Sequence, residues 1–184
     1  WVSPNPQDQH LESITTIAYS PNARVYASGC QDGSIKIWDG VSNRCVNTIT
    51  QAHSGLPVSS VQFTRNSKYI LSSGKDSQVR LWDVGSGRCL VIYTGAGLIG
   101  KQEYHTNATF NHTEDFVMFA DEKTVSLCCW NARNAERQDI LPLGHSSSIR
   151  WLTHSPVYPA FLSCSDDYRA RFWCRPASSL AGGS

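Results

Sequence analysis

Histidine, serine and aspartate recur at fixed spacing in this 184-residue chain: His10, Ser28, Asp32; His53, Ser72, Asp76; and His145, Ser163, Asp167. These are the residue types of a nucleophilic triad, in which an imidazole takes the serine proton and a carboxylate orients the imidazole. A hydrolase needs one such set, whereas three sets at one place in a repeat point to architecture. A tryptophan follows each aspartate by six residues: Trp38, Trp82 and Trp173. A buried carboxylate is tolerated only when it is paired and hydrogen-bonded. An imidazole can donate to it while accepting from a serine hydroxyl, and an indole adds apolar area and one N–H. The expected chemistry is therefore structural hydrogen bonding, with no catalytic residue, cofactor or metal site. The seven cysteines (Cys30, Cys45, Cys89, Cys128, Cys129, Cys164 and Cys174) include no C-x-x-C pair. Zinc spacing is absent, and buried free thiols in a reducing compartment are the expectation.

The elements that must position these residues follow from a period. QDGSIKIW, KDSQVRLW and DDYRARFW end at Trp38, Trp82 and Trp173, and a weaker copy, ADEKTVSL, ends at Leu127 with Asp121 six residues before it. The successive intervals are 44, 45 and 46 residues. Each copy divides into short runs rich in Val, Ile, Thr, Tyr and Trp, such as VSSVQFT, YILSS, VRLWDV and CLVIYT in the second. Such runs are strands, and the Asn, Ser, Gly, Asp and Lys between them are turn residues. Four strands per period make one blade of a β-propeller. The fold class is all-β, about four blades of an incomplete ring. Residues 1–9 read as the end of a preceding blade, 10–52 and 53–96 as blades, 97–143 as a divergent blade, 144–175 as an incomplete last blade and 176–184 as a flexible tail. Blade four is expected to have three strands and an unpaired edge, and blade one to expose an apolar face.

In the third copy Leu127 stands for tryptophan and Val117 for serine, no histidine falls at the expected distance, and Trp130 comes three residues late. The loop leading into it, GAGLIGKQEYHT, carries Lys101, Gln102, Glu103 and Tyr104. Irregular loops on a rigid frame are where function concentrates, and tyrosine is common at interface hot spots. These four residues are the candidate partner contact; the other reading is a drifted repeat.

The bulk numbers set bounds. A chain of this length buries about 70% of its unfolded surface. Sixteen Lys+Arg against fifteen Asp+Glu give a formal charge of +1, with no bulk attraction to nucleic acid or membrane. No run of apolar residues is long enough for a membrane helix. Asn107-Ala-Thr109 and Asn111-His-Thr113 match the glycosylation sequon and read as chance matches. The chain opens on Trp1 and its one methionine is Met118, so it is expected to begin inside a longer protein.

The aspartate-to-tryptophan spacing, the Trp38-Asp39 and Trp82-Asp83 dipeptides and the Gly144-His145 and Ala52-His53 pairs resemble WD repeats over nearly the whole chain. In such repeats the histidine lies in the loop leading into a blade, the serine on its second strand, the aspartate in the next turn and the tryptophan on the third strand. The segments IKIWDGVSNRC, NSKYILSSGKDS, YTGAGLIGKQ, FNHTEDFV, SLCCW and CSDDYRARFW further resemble the family of WD-repeat subunits of cleavage stimulation factor, from Pro6 to Arg175. That resemblance implies a nuclear, noncatalytic scaffold in pre-mRNA 3′-end cleavage and polyadenylation. Its implied partners are the tetratricopeptide-like and RNA-recognition subunits of the factor and other 3′-end processing proteins. The full-length protein would be dimeric through a segment absent here. Direct RNA contact through Arg169, Arg171 and Arg175, clustered with Trp173, and through Arg133 and Arg137 in the loop after Trp130 is a secondary expectation, because Arg171 shares with Lys36 and Arg80 the place two before tryptophan. A WD-repeat adaptor in another complex, such as a ubiquitin ligase, is the alternative.

Overall fold

The computed structural model describes residues 5–96, 102–138 and 140–174. Among these residues, fifteen strands form four antiparallel sheets. The first sheet holds β1 (Ile14–Tyr19), β2 (Val25–Cys30), β3 (Ile35–Asp39) and β4 (Cys45–Ile49) in that order. The second holds β5 (Val58–Phe63), β6 (Tyr69–Gly74), β7 (Val79–Asp83) and β8 (Cys89–Tyr93). The third holds β9 (Ala108–Phe110), β10 (Phe116–Asp121), β11 (Ser126–Asn131) and β12 (Leu141–Pro142). The last holds β13 (Ile149–His154), β14 (Ala160–Ser165) and β15 (Ala170–Cys174), three strands among the described residues. The sole helical element among these residues is a 3-10 turn, Pro6–Asp8, capped by the Asn5 side chain. Pro6 is thus in a turn and not at the end of a strand, since proline cannot donate to a ladder. Residues 1–4 and 175–184, including the expected tail, lie outside the described residues.

Consecutive sheets stack face to face. Ala27, Ile35 and Ile37 of the first sheet pack against Val58, Val61, Phe63 and Ile70 of the second. Leu71 and Val79 of the second pack against Phe110, Val117 and Phe119 of the third. Met118 and Leu127 pack against Ile149 and Leu152 of the last. Hydrogen bonds reinforce the inner edge of this stack. Thr15 Oγ1 donates to the Val58 carbonyl at 2.6 Å, and Ser73 Oγ donates to the Thr106 carbonyl at 2.8 Å. The Asn107 amide both donates to the Leu152 carbonyl (2.6 Å) and accepts from its N–H (2.7 Å). Asn107 is buried in this bridge.

The aspartates of the Trp-Asp dipeptides cap the β3–β4 and β7–β8 turns. Asp39 Oδ1 accepts from the Ser42 amide and Asp83 Oδ1 from the Ser86 amide, each at 2.7 Å. Asn131 Oδ1 does the same for the Arg133 amide at 2.9 Å. This is turn chemistry in which a short side chain imitates backbone.

Two expectations need correction. Trp130 pairs with Val117 across β10 and β11 just as Trp82 pairs with Ile70 across β6 and β7. The tryptophan position of the third sheet is therefore filled by Trp130, not Leu127. The serine position belongs to Phe119, not Val117, because the two hairpins differ in length. Of the cysteines, all free, Cys30 and Cys128 are buried, while Cys89, Cys164 and Cys174 are exposed. Cys89 lies on an outermost strand, and Cys164 and Cys174 lie on a sheet with no neighbour beyond it among the described residues.

Candidate functional site

In the second sheet the four repeated residue types form one chain of hydrogen bonds. Trp82 Nε1 donates to Ser72 Oγ at 2.8 Å. Ser72 Oγ lies 2.8 Å from His53 Nε2, and His53 Nδ1 lies 2.9 Å from Asp76 Oδ1. A carboxylate only accepts, so the neutral imidazole that bonds Asp76 carries its proton on Nδ1, and Nε2 then accepts from the Ser72 hydroxyl, which itself accepts from the indole. His53 leads into β5, Ser72 sits on β6, Asp76 in the following turn and Trp82 on β7. Arg80 places its guanidinium 3.3 Å from Asp76 Oδ2 and also donates to the Ala52 carbonyl. It thereby holds the turn and the histidine loop together.

The last sheet repeats the geometry. Trp173 Nε1 donates to Ser163 Oγ at 3.0 Å, Ser163 Oγ is 2.8 Å from His145 Nε2, and His145 Nδ1 is 2.8 Å from Asp167 Oδ2. Burial opposes the charge on Asp167. Hydrogen bonds from His145 and from the Ser146 and Arg169 amides outweigh it and hold the carboxyl below its ordinary range.

The first sheet departs from this pattern. Trp38 Nε1 still donates to Ser28 Oγ (2.8 Å), which lies 2.6 Å from His10 Nε2. His10 Nδ1, however, meets Ser34 Oγ at 3.1 Å, and Asp32 accepts from the Ser34 amide at 2.8 Å. Ser34 thus stands between histidine and aspartate. Burial and nearby Lys36 lower the His10 pKa. The donor atoms of His10, Cys30 and Asp32 lie within 4.8 Å of one another. Both His10 nitrogens are already taken up by serine hydroxyls, and burial pushes the Cys30 thiol up. Hydrogen bonding accounts for this cluster.

Among the described residues the third sheet has no such network. Phe119 is fully buried in the core between the second and third sheets, and Trp130 Nε1 donates to the Thr94 carbonyl at 2.9 Å. The Asp121 carboxylate is satisfied within its own turn by the Lys123 amide (3.0 Å) and the Thr124 hydroxyl (2.6 Å).

The candidate partner loop is strapped across three sheets. The Gln102 amide donates to the Lys75 carbonyl at 2.8 Å, and Lys75 Nζ donates to the Glu103 carbonyl at 2.9 Å. The amides of Glu103 and Tyr104 donate to Glu122 Oε2 at 2.9 and 3.3 Å. Arg150 lies 3.4 Å from the centre of the Tyr104 ring and donates to Asp166 Oδ1 at 2.8 Å. Gln102 is buried, Glu103 exposed and Tyr104 half-buried; Lys101 lies outside the described residues. Lys75, Glu122, Arg150 and Asp166 went unrecognised in the sequence. In the structure Arg150 sits where the ladder is interrupted between Ile149 and Trp151, as Thr15 and Ser59 do in their sheets. Such a bulge re-aims a side chain.

The arginines expected to contact RNA differ in exposure. Arg137 reaches Cys128 Sγ at 3.6 Å, Arg171 is half-buried, and Trp173 is stacked on Phe161 with ring centres 5.9 Å apart. Arg133 and Arg169 remain on the surface, and Arg175 lies outside the described residues.

Comparison with known proteins bears on the fold and the family. A family model described as "Nucleolar protein 10-like, N-terminal domain", a β-propeller, matches residues 3–127, and the WD domain, G-beta repeat model matches residues 138–174. Cleavage stimulation factor subunit 50 of Arabidopsis thaliana is 40% identical over 161 residues, covering 88% of this chain and 37% of that protein. A periodic tryptophan protein 2 homolog of Dictyostelium discoideum is 27% identical over 177 residues, covering 91% of this chain and 18% of that protein. The chain therefore spans well under half the length of either relative. Among solved structures, the computationally designed Ika4 protein superposes with a TM-score of 0.72 at 22% identity, covering 91% of this chain and 94% of that one. It shares the fold. The chain belongs to the WD-repeat β-propellers, in the family whose model is the nucleolar protein 10-like N-terminal domain.

Proposed function

We propose that this chain is a noncatalytic WD-repeat scaffold of the nuclear machinery that cleaves and polyadenylates pre-mRNA 3′ ends. The observation that carries the reading is its 40% identity, over 88% of its length, to cleavage stimulation factor subunit 50. The networks fit a structural role. His53–Ser72 and His145–Ser163 are buried, and each serine hydroxyl is engaged by an indole N–H and an imidazole. A nucleophile needs an exposed oxygen beside a substrate cleft, and these have neither. The partners are other subunits of the factor, bound through the face that carries the Gln102–Tyr104 strap.

A second reading has a specific observation behind it. The nucleolar protein 10-like family model, matching residues 3–127, favours a propeller in a nucleolar assembly. Affinity capture of the full-length protein from nuclear extract separates the two. Recovery of cleavage stimulation factor subunits supports the first reading. Recovery of nucleolar proteins in their place rejects it, and recovery of ubiquitin-ligase components would do the same.

A further inference from the structure

One position of the repeat fastens the strap from three sheets. It is the fifth residue beyond the second-strand residue that pairs with the tryptophan, which is Tyr26, Ile70, Val117 and Phe161 in turn. Gln31, Lys75, Glu122 and Asp166 hold that position in the four sheets. In three of them the backbone there is pinned to the segment leading into the same sheet. The N–H groups of Gln31, Lys75 and Asp166 donate to the Ser13, Pro57 and Ser148 carbonyls at 2.9, 3.0 and 3.1 Å. The three charged members of the set all end on Gln102–Tyr104. Lys75 Nζ donates to the Glu103 carbonyl at 2.9 Å, and the Lys75 carbonyl accepts from the Gln102 amide at 2.8 Å. Glu122 Oε2 accepts from the Glu103 and Tyr104 amides. Arg150 donates to both Asp166 oxygens, at 2.8 and 2.9 Å, while its guanidinium lies 3.4 Å from the centre of the Tyr104 ring. Each charge meets a group of the sign that favours it, an ammonium on a carbonyl and carboxylates on N–H donors. Gln31 is uncharged, and the loop leading into the second sheet is held instead by His53, through Ser72 and Asp76.

We infer that Lys75, Glu122 and Asp166 are positioning residues for the partner contact, holding Gln102–Tyr104 in one conformation on the binding face. The strap leads into the third sheet, where buried Phe119 stands in the serine position. The side-chain network that holds the loop into the second sheet therefore cannot form there. The charged position of the repeat takes over that fastening. Both backbone groups of Glu103 are engaged, its N–H by Glu122 and its carbonyl by Lys75, which leaves its exposed side chain to a partner. The Tyr104 ring is half-buried under Arg150, so its orientation is set before a partner arrives. A segment ordered in advance loses less conformational freedom on binding, and pre-organisation of this kind raises affinity without adding a contact. The inference rests on the reading that the strap face binds partner subunits.

The test uses Lys75→Met, Lys75→Arg and Glu122→Ala variants of the full-length protein and two readouts. Amide hydrogen exchange is measured without partners, and capture of subunits is measured from nuclear extract. Lys75 and Glu122 are both partly exposed, so folding is retained, and circular dichroism melts check it. Lys75→Met and Glu122→Ala are expected to speed exchange of the Gln102, Glu103 and Tyr104 amides about ten-fold or more, while exchange in β5–β7 stays as in wild type. Each should lower capture about five-fold, through lost pre-organisation. Lys75→Arg keeps a donor for the Glu103 carbonyl and should restore both readouts. Unchanged strap exchange in either loosening variant overturns the positioning role. Failure of Lys75→Arg to restore slow exchange overturns the part given to the Lys75 donor. Faster exchange in both variants with undiminished capture removes the partner from this face and overturns the reading on which the inference rests.

Discussion

Trp130 stands in the third sheet where Trp82 stands in the second, each paired across the ladder with a buried aliphatic residue, Val117 and Ile70. The two indoles nevertheless donate to different partners. Trp82 reaches Ser72, while Trp130 reaches the Thr94 carbonyl, because Phe119 occupies the serine position. The third sheet has exchanged a polar network for apolar packing. Phe119→Ala is therefore expected to cost about 3–5 kcal/mol, the range for emptying a buried aromatic site. Phe119→Ser should be no milder, since its hydroxyl meets no histidine. Urea unfolding of both variants decides it, and a serine variant as stable as wild type would contradict the packing account.

The networks of the first and second sheets should differ in their tolerance to loss of the carboxylate. Asp76 touches both His53 and Arg80, at 2.9 and 3.3 Å, and its side chain is 8% exposed. Asp76→Ala strands both partners and should cost about 1–3 kcal/mol. Asp32 is bonded to Ser34 and not to histidine, so Asp32→Ala should cost less than half as much. Equal losses in denaturation midpoint would show that the extra contacts carry no weight.

Mild acid should weaken the fold before the carboxylates titrate. His10, His105 and His154 all have pKa values lowered from 6.5, in each case chiefly by burial. The unfolded chain then binds more protons than the folded one at mildly acidic pH, and stability rises with pH in that window. The contribution is complete above pH 6.5 and fades as pH falls through the lower folded values. The melting temperature should drop between pH 7.5 and 5.5 at constant ionic strength, and drop less in His10→Gln. A melting temperature that is flat over this interval refutes the assignment.

The strap ties partner binding to a measurable local contact. Removing the Tyr104 ring takes away an arginine–aromatic contact worth about 0.5–1 kcal/mol at a partly exposed site. Tyr104→Ala should therefore stay folded yet lower the yield of captured subunits, and Arg150→Ala should lower it too by freeing the same loop. Undiminished capture by both folded variants removes the strap from the partner surface.

Much of this was legible in the chain itself. The period and the strands were readable because short β-branched and aromatic runs alternate with turn residues. The intact networks were readable because their members keep constant spacing. The third sheet was misaligned because counting back from its apparent tryptophan position assumed equal hairpins. In the second sheet Ser73 pairs with Val79, leaving a turn that contains Asp76. In the third, Asp121 pairs directly with Ser126, so Asp121 belongs to the ladder and the tryptophan falls further on. Ser34's insertion between His10 and Asp32 has no spacing signature. The strap was invisible for another reason: Lys75, Glu122 and Arg150 belong to three sheets and converge only when these stack.

The most direct measurement is cleavage of a polyadenylation-signal pre-mRNA in nuclear extract depleted of this protein. The scaffold account predicts that depletion stops cleavage and that the full-length protein restores it. It also predicts that a folded Ser72→Ala variant restores it at the wild-type rate, because that serine is no nucleophile. Cleavage that continues unchanged after depletion, or that fails only with Ser72→Ala despite normal folding and capture, would contradict the account.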